Sequence, residues 1–375
     1  MTLKNKERIF NAIKFKTVDR IPMTYRGTEL VTQKLMNFFN FEKPEDFIGN
    51  RKEFIKKIGA DMWSTGSRLS KFAVFVPSYN GPRAQEPYIE DDQYFFTIGI
   101  NTMNSKISPF YGVNPPLGNI NNASEIKEGF LTSKLKNYDF KKMINRYKDE
   151  RISFENIKDD EEEVVSIGNL TSVFMTCSFL RGMENFLMDM AANTKLAEKI
   201  VEEVADFCLE YSKRELEAFG SKAQYYGTWD DVAGQDGILF SPELFKKYFL
   251  PVYKELIENV KKYNLFFGWH VCGSVHEFMP DMVDAGIDVF DVVQTSAKNM
   301  DLENIYKLYG NKVCIHGGID VQKILINKKP KEIKEEVKKI NDLWGNRGGV
   351  IIAPSHMILP ETPIENILAI YDADK

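Results

Sequence analysis

The sequence predicts an α/β fold: a parallel (β/α)8 barrel with an inserted β-hairpin cap, residues 1–375 forming one domain. Three observations carry that reading. From Val164 onward, short apolar runs alternate with helical patterns, which is how a parallel sheet with crossover helices is written into a chain. At 375 residues the chain has room for two average domains or one large barrel, and no repeat of fixed period is apparent. The four histidines all lie from residue 270 onward, and His270, His316 and His356 follow apolar runs. In a parallel sheet or barrel the ends of successive strands gather on one face, where ligands bind.

In chain order, Ile9, Phe10, Ile13 and Phe15 give residues 4–16 an approximate helical period. VDRIPMTY reads as a turn entering a strand, and Arg26 follows it, placed to reach into a site. A helix is expected from Thr28 to Phe39, another ending at Gly59, and a short strand from Asp61. Residues 70–116 are rich in Pro, Gly, Asn and aromatics, and YIEDDQYFFTIGINT looks like a hairpin turning at Asp91-Asp92. This stretch is the expected insertion. Lys127 to Asp160 is charged and reads as helical, VVSIG and SVFMTC as strands, and NTKLAEKIVEEVADFCLEYSKRELEAFG as one long helix. AQYYGTWDDVA is a strand with a polar end. Ser241, Pro242 and Glu243 supply an N-cap, a first-turn proline and a first-turn acid for the next helix.

The stretch from Phe266 to Gln294 concentrates the chemistry. A buried strand, Leu265 to Trp269, ends at His270 and Cys272, which share a face at i and i+2. Gly273 breaks the strand, a helix runs to Gly286, and a second apolar run, Ile287 to Val293, ends in Gln294. Strands at VCIHGG and GVIIAPSH follow. Imidazole and thiolate suit zinc, whose catalytic sites have three protein ligands and one open position. His356 is the best-placed third ligand and His316 its rival. In GTWDDVAGQDG the paired carboxylates Asp230 and Asp231, followed by Gln235, could bind a substrate amine or hydroxyl, act as acid or base, or support a metal through its ligands. These three are the expected catalytic residues. The GGID turn, with Gly317 and Asp320, allows close backbone approach to a ligand. Arg26, Gln294, His316, Gly317 and Asp320 are the expected substrate-binding residues.

Composition excludes several classes. A formal charge of −5 with no basic face argues against nucleic acid. No apolar run approaches the roughly 20 residues of a membrane span, and MTLKNKERIF is too charged for a signal peptide. Four cysteines make no disulfide framework and read as reduced thiols in the cytoplasm. Of these, Cys177, Cys208 and Cys314 are expected in the core. No dinucleotide or phosphate-loop fingerprint and no nucleophile elbow occurs.

NKERIFNAIKFKTVDRIP, TWDDVAGQDGILFSPELFKKYFLP, HVCGSV, CIHGGID and APSHMILPETPIENI together resemble the uroporphyrinogen decarboxylase superfamily, almost end to end. The resemblance implies a (β/α)8 TIM barrel. The decarboxylase branch uses no metal and holds its tetrapyrrole with an arginine-rich stretch, which here reads MTYRGTEL with Arg26 alone. The cobamide-dependent methyltransferase branch carries zinc on H-x-C and a later cysteine. His270 and Cys272 match the first part, and His356 stands where that cysteine would be. One thiolate fewer makes the zinc a stronger Lewis acid. The expectation is therefore a zinc-dependent methyltransferase moving a methyl group between a corrinoid and a thiol or similar small-molecule acceptor. No D-x-H-x-x-G segment is present to ligate cobalt, so the cobamide is expected on a separate corrinoid protein. The alternatives are a metal-free tetrapyrrole decarboxylase and a non-catalytic binding barrel.

Overall fold

The computed structural model describes residues 2–65, 69–71, 73–81, 101–102, 112–113, 115–145, 149–168 and 170–372. Its strands are β1 (Thr24–Tyr25), β2 (Met62–Trp63), β3 (Phe75–Tyr79), β4 (Asn101–Thr102), β5 (Gly112–Val113), β6 (Tyr138–Asn145), β7 (Ser166–Ile167), β8 (Tyr225–Trp229), β9 (Phe266–His270), β10 (Val289–Val293), β11 (Cys314–Ile319) and β12 (Val350–Pro354). Strands β7 to β12 form one parallel sheet in sequence order. Strands β1 and β2 make a parallel pair that joins the β12 edge through a Met23–Ile352 bridge. Eight parallel strands therefore follow one another, β2-β1-β12-β11-β10-β9-β8-β7. Among the described residues no ladder joins β7 to β2. Val74 bridges Ser166, and Lys71 N–H donates to Trp63 O at 2.6 Å, both within that gap.

The strands form where apolar runs are bounded by breakers. β9 is apolar until its last residue, and Gly268 makes room for its neighbour, because a Cβ there would overlap the Tyr225 hydroxyl. As expected, Ser241 caps its helix, accepting from Leu244 N–H ahead of Pro242. Thr28, expected as the first helical residue, is instead the cap of Glu29–Phe38. Helix Thr194–Phe219 buries Leu196, Ile200, Val204, Phe207 and Tyr211 along one face, the i, i+4, i+8 pattern of an amphipathic helix on a sheet.

Two segments depart from expectation. Tyr138–Asn145 lies in the stretch read as helical but forms β6, antiparallel to β3. Tyr138 packs its ring on Tyr79 and Tyr211, so tertiary aromatic contacts override a charged local pattern. SVFMTC contributes to helix Phe174–Arg181 instead of a strand. The N-terminal amides of that helix are taken by a carboxylate from far downstream, described below. The hairpin expected at Asp91-Asp92 lies outside the described residues. Within the same insertion β4 and β5 pair antiparallel, Asn101 opposite Val113.

Candidate metal centre

His270 is the last residue of β9, 8% exposed. Its carbonyl accepts from Asp230 N–H at 2.9 Å, and Val271 N–H donates to Asp291 O at 2.7 Å. The chain leaves the strand tied to both neighbours. Cys272 then brings its Sγ to 3.7 Å from His270 Nε2. Asp231 Oδ1 accepts from Cys272 N–H at 3.1 Å. The ligand atoms of Asp231, His270 and Cys272 all lie within 4.8 Å of one another, the one such three-residue group among the described residues. Zinc bound tetrahedrally to thiolate and imidazole places sulfur and nitrogen about 3.6 Å apart, given its usual bond lengths. The observed separation fits.

Asp291 completes the setting, and sequence reading did not single it out. It is fully buried in β10 and in register with His270 on β9 and with His316 on β11. Its Oδ2 is hydrogen-bonded to His270 Nδ1. Its Oδ1 accepts from Arg26 Nη2 at 2.6 Å and lies 3.0 Å from His316 Nδ1. Burial opposes the carboxylate charge, yet Arg26, His270 and His316 hold Asp291 well below the usual carboxylate range. Burial likewise opposes charge on His270, but Asp291 and Cys272 outweigh it and push the imidazole up to about 10. His316 goes the other way: burial, helped by Arg26 and His270, lowers it against Asp291. The signal in the sequence was an acid inside an apolar run, IDVFDVV, one strand away from the H-x-C pair.

The remaining expected site residues divide. Asp230 does not face the centre. It is fully buried and accepts from the backbone amides of Val173, Phe174 and Met175 at 3.1, 2.7 and 2.7 Å, and from the Ser172 hydroxyl. It is the cap of helix Phe174–Arg181, so the adjacent aspartates do different work. Burial pushes its carboxyl up to about 6 against these bonds and one from Tyr253. Arg26 is 1% exposed and donates to Asp291 inside the fold. His316 is fully buried, with Nε2 2.7 Å from Thr24 Oγ1.

Gly317 serves the sheet, for a Cβ there would meet Val292 Cγ2 and Val293 N at 2.9 Å, where the β10–β11 register shifts. Asp320, 2% exposed, accepts from Lys323 and Ile324 N–H at 2.5 and 3.1 Å. His316, Gly317 and Asp320, expected to contact substrate, thus also make contacts within the protein. Gln294 accepts from Gly273 N–H and donates to Gln235 Oε1, both at 3.0 Å, clasping the Cys272 loop to the Asp231 loop. His356 lies exposed just past β12, outside the three-residue group. Desolvation, reinforced by His270 and Arg26, lowers its imidazole pKa.

Residues 133–375 match the family described as Uroporphyrinogen decarboxylase (URO-D). The chain is 26% identical over 215 residues to the Methylcobamide:CoM methyltransferase MtaA of Methanosarcina barkeri, covering 56% of this chain and 58% of that one. It is 24% identical over 210 residues to the Methylated-thiol–coenzyme M methyltransferase of Methanosarcina mazei, covering 55% and 52%. It is also 27% identical over 179 residues to the Uroporphyrinogen decarboxylase of Rickettsia bellii, covering 47% and 48%. The matches span about half the length of these curated relatives. A solved methyltransferase from Methanosarcina mazei superposes with a TM-score of 0.64 at 18% identity, over 99% of this chain and 98% of that one, which shows a shared fold. With its carboxyl-terminal two thirds matched and its eight consecutive parallel strands, the chain belongs to the uroporphyrinogen decarboxylase family.

Proposed function

We propose that this chain is a zinc-dependent methyltransferase moving a methyl group between a corrinoid protein and a thiol or similar acceptor. The observation that carries it is the donor set at the end of β9: a thiol and an imidazole nitrogen at 3.7 Å, with Asp231 within 4.8 Å of both. Relatives named as methylcobamide and methylated-thiol methyltransferases support the same class. In this reading the strands close into a (β/α)8 barrel, and the chain is a single domain. The reduced thiols belong to a cytoplasmic protein.

His270 and Cys272 would hold the zinc, Asp231 is the nearest third donor, and neutral His356 would complete the set from the mouth. Zinc there would act as a Lewis acid and lower the pKa of a bound acceptor thiol. The Gln294–Gln235 clasp keeps the two ligand-bearing loops together, and Asp291 occupies Nδ1 of His270 so that Nε2 faces Cys272. Cobamide would arrive on a separate corrinoid protein.

The metal-free decarboxylase reading needs arginines presented to substrate carboxylates, whereas Arg26 is buried against Asp291. Metal analysis followed by a methylcobalamin-to-thiol transfer assay tests the proposal. Close to one zinc per chain and zinc-dependent transfer are expected. Protein that takes up no zinc rules the reading out, and zinc without transfer to any thiol would favour the non-catalytic binding barrel.

A further inference from the structure

We propose that Asp291 is the positioning residue of this centre: it fixes which nitrogen of His270 faces the metal, and Arg26 and His316 hold it in place. The proposal rests on the metal-centre reading above. An imidazole can ligate through either nitrogen, and the hydrogen bond made by the other decides which. Asp291 Oδ2 takes Nδ1 of His270, which leaves Nε2 turned toward Cys272 Sγ. A lone carboxylate could rotate away. Here the second oxygen is bound by Arg26 at 2.6 Å and lies 3.0 Å from His316 Nδ1, so rotation would break contacts on both sides. His316 is anchored in turn by Thr24, and Thr24 by Ser64 Oγ at 3.0 Å.

The side chains come from β9, β10, β11, β1 and the two loops that follow β1 and β2. Their register is set by the sheet, since Asp291 stands directly between His270 and His316 on adjacent strands. Such a cluster is costly to bury, and apolar residues of similar volume often stabilise a fold as well or better. Stability alone does not account for it. A fixed His270 does.

The test uses the whole chain, freed of metal and titrated with zinc and with cobalt(II). Asp291→Asn is expected to weaken zinc about 10- to 100-fold and to shift the cobalt ligand-field bands. In histidine-labelled wild-type protein, a slowly exchanging downfield Nδ1–H resonance of His270 is expected with and without metal, and Asp291→Asn should abolish it. A folded Asp291→Asn protein with unchanged affinity, bands and resonance overturns the proposal. Should that variant not fold, the wild-type spectrum decides, because absence of the protected Nδ1–H overturns it equally. Wild-type protein that binds no zinc would end the metal reading, while the resonance still shows whether Asp291 sets the imidazole.

Discussion

The two ends of the parallel strands hold buried charge in different ways. At the amino-terminal end, Asp61 precedes β2 and is enclosed by its partners. Arg8 donates to it at 2.5 Å, Arg20 donates twice at 2.8 Å, and Met23 N–H donates at 2.8 Å. Arg8 also pairs with Asp19 at 2.7 Å. Donors meet acceptors, and the network closes on itself. At the carboxyl-terminal end, Asp291 is just as well matched, but the groups beyond it are not. Asp231, His270 and Cys272 turn three potential ligand atoms toward one another. A charge cluster that satisfies itself ties elements together, whereas ligand atoms converging on a shared space mark where something else binds.

The largest expected effect separates the two ends outright. His270→Ala or Cys272→Ser should abolish the roughly equimolar zinc expected in metal analysis and leave the Asp61 network intact. Equal zinc content in both variants and wild type would erase the distinction. At the other end, Asp61→Ala removes the acceptor of two arginines and should cost about 3–5 kcal/mol in denaturant unfolding, as breaking a buried pair does, with zinc affinity unchanged. A matching loss of zinc affinity would show that the ends are coupled.

The neighbouring aspartates sharpen the comparison further. Asp230→Asn should lower stability by about 0.5–2 kcal/mol, the range for losing a helix cap, without touching the metal. Asp231→Asn should stay within about 1 kcal/mol and weaken zinc binding. The pH dependence has a definite sign. The Asp230 carboxyl is raised from 3.8 to about 6 in the folded chain, so between those values the folded state binds the extra proton. Its contribution to stability is therefore greatest below pH 4 and falls as pH rises to 6. Thermal unfolding of wild type against Asp230→Asn across that window measures it, and a parallel pair of curves would contradict the assignment.

The smallest effect concerns His356, which lies outside the convergent group. His356→Ala should change the cobalt(II) bands if the residue reaches the metal from the mouth, and His356→Cys should then strengthen the sulfur-to-cobalt charge-transfer band. Unchanged bands in both leave Asp231 as the third ligand.

Much of this was legible in one dimension. The apolar runs at Phe266–His270, Val289–Val293, Cys314–Ile319 and Val350–Pro354 became strands, because a strand buried on both faces must be apolar along its length. The H-x-C spacing marked His270 and Cys272 as a pair, but Cys272 lies past the end of β9, and the chain leaving the strand brings its Sγ to His270. The cap at Ser241 was a local hydrogen bond readable from its own neighbours.

Only the tertiary structure decided the rest, because the interactions that matter join residues distant in sequence. Asp230 belongs to a helix more than 50 residues upstream, so nothing beside it announces a cap. The same carboxylate takes the first amides of the helix to which SVFMTC contributes. β6 became a strand because β3 and the Tyr79 and Tyr211 rings were there to receive it. Asp291 gained its role from strand register, which places it between two histidines 21 residues before it and 25 after. Local pattern specifies which face a side chain takes; register and packing specify what it meets there.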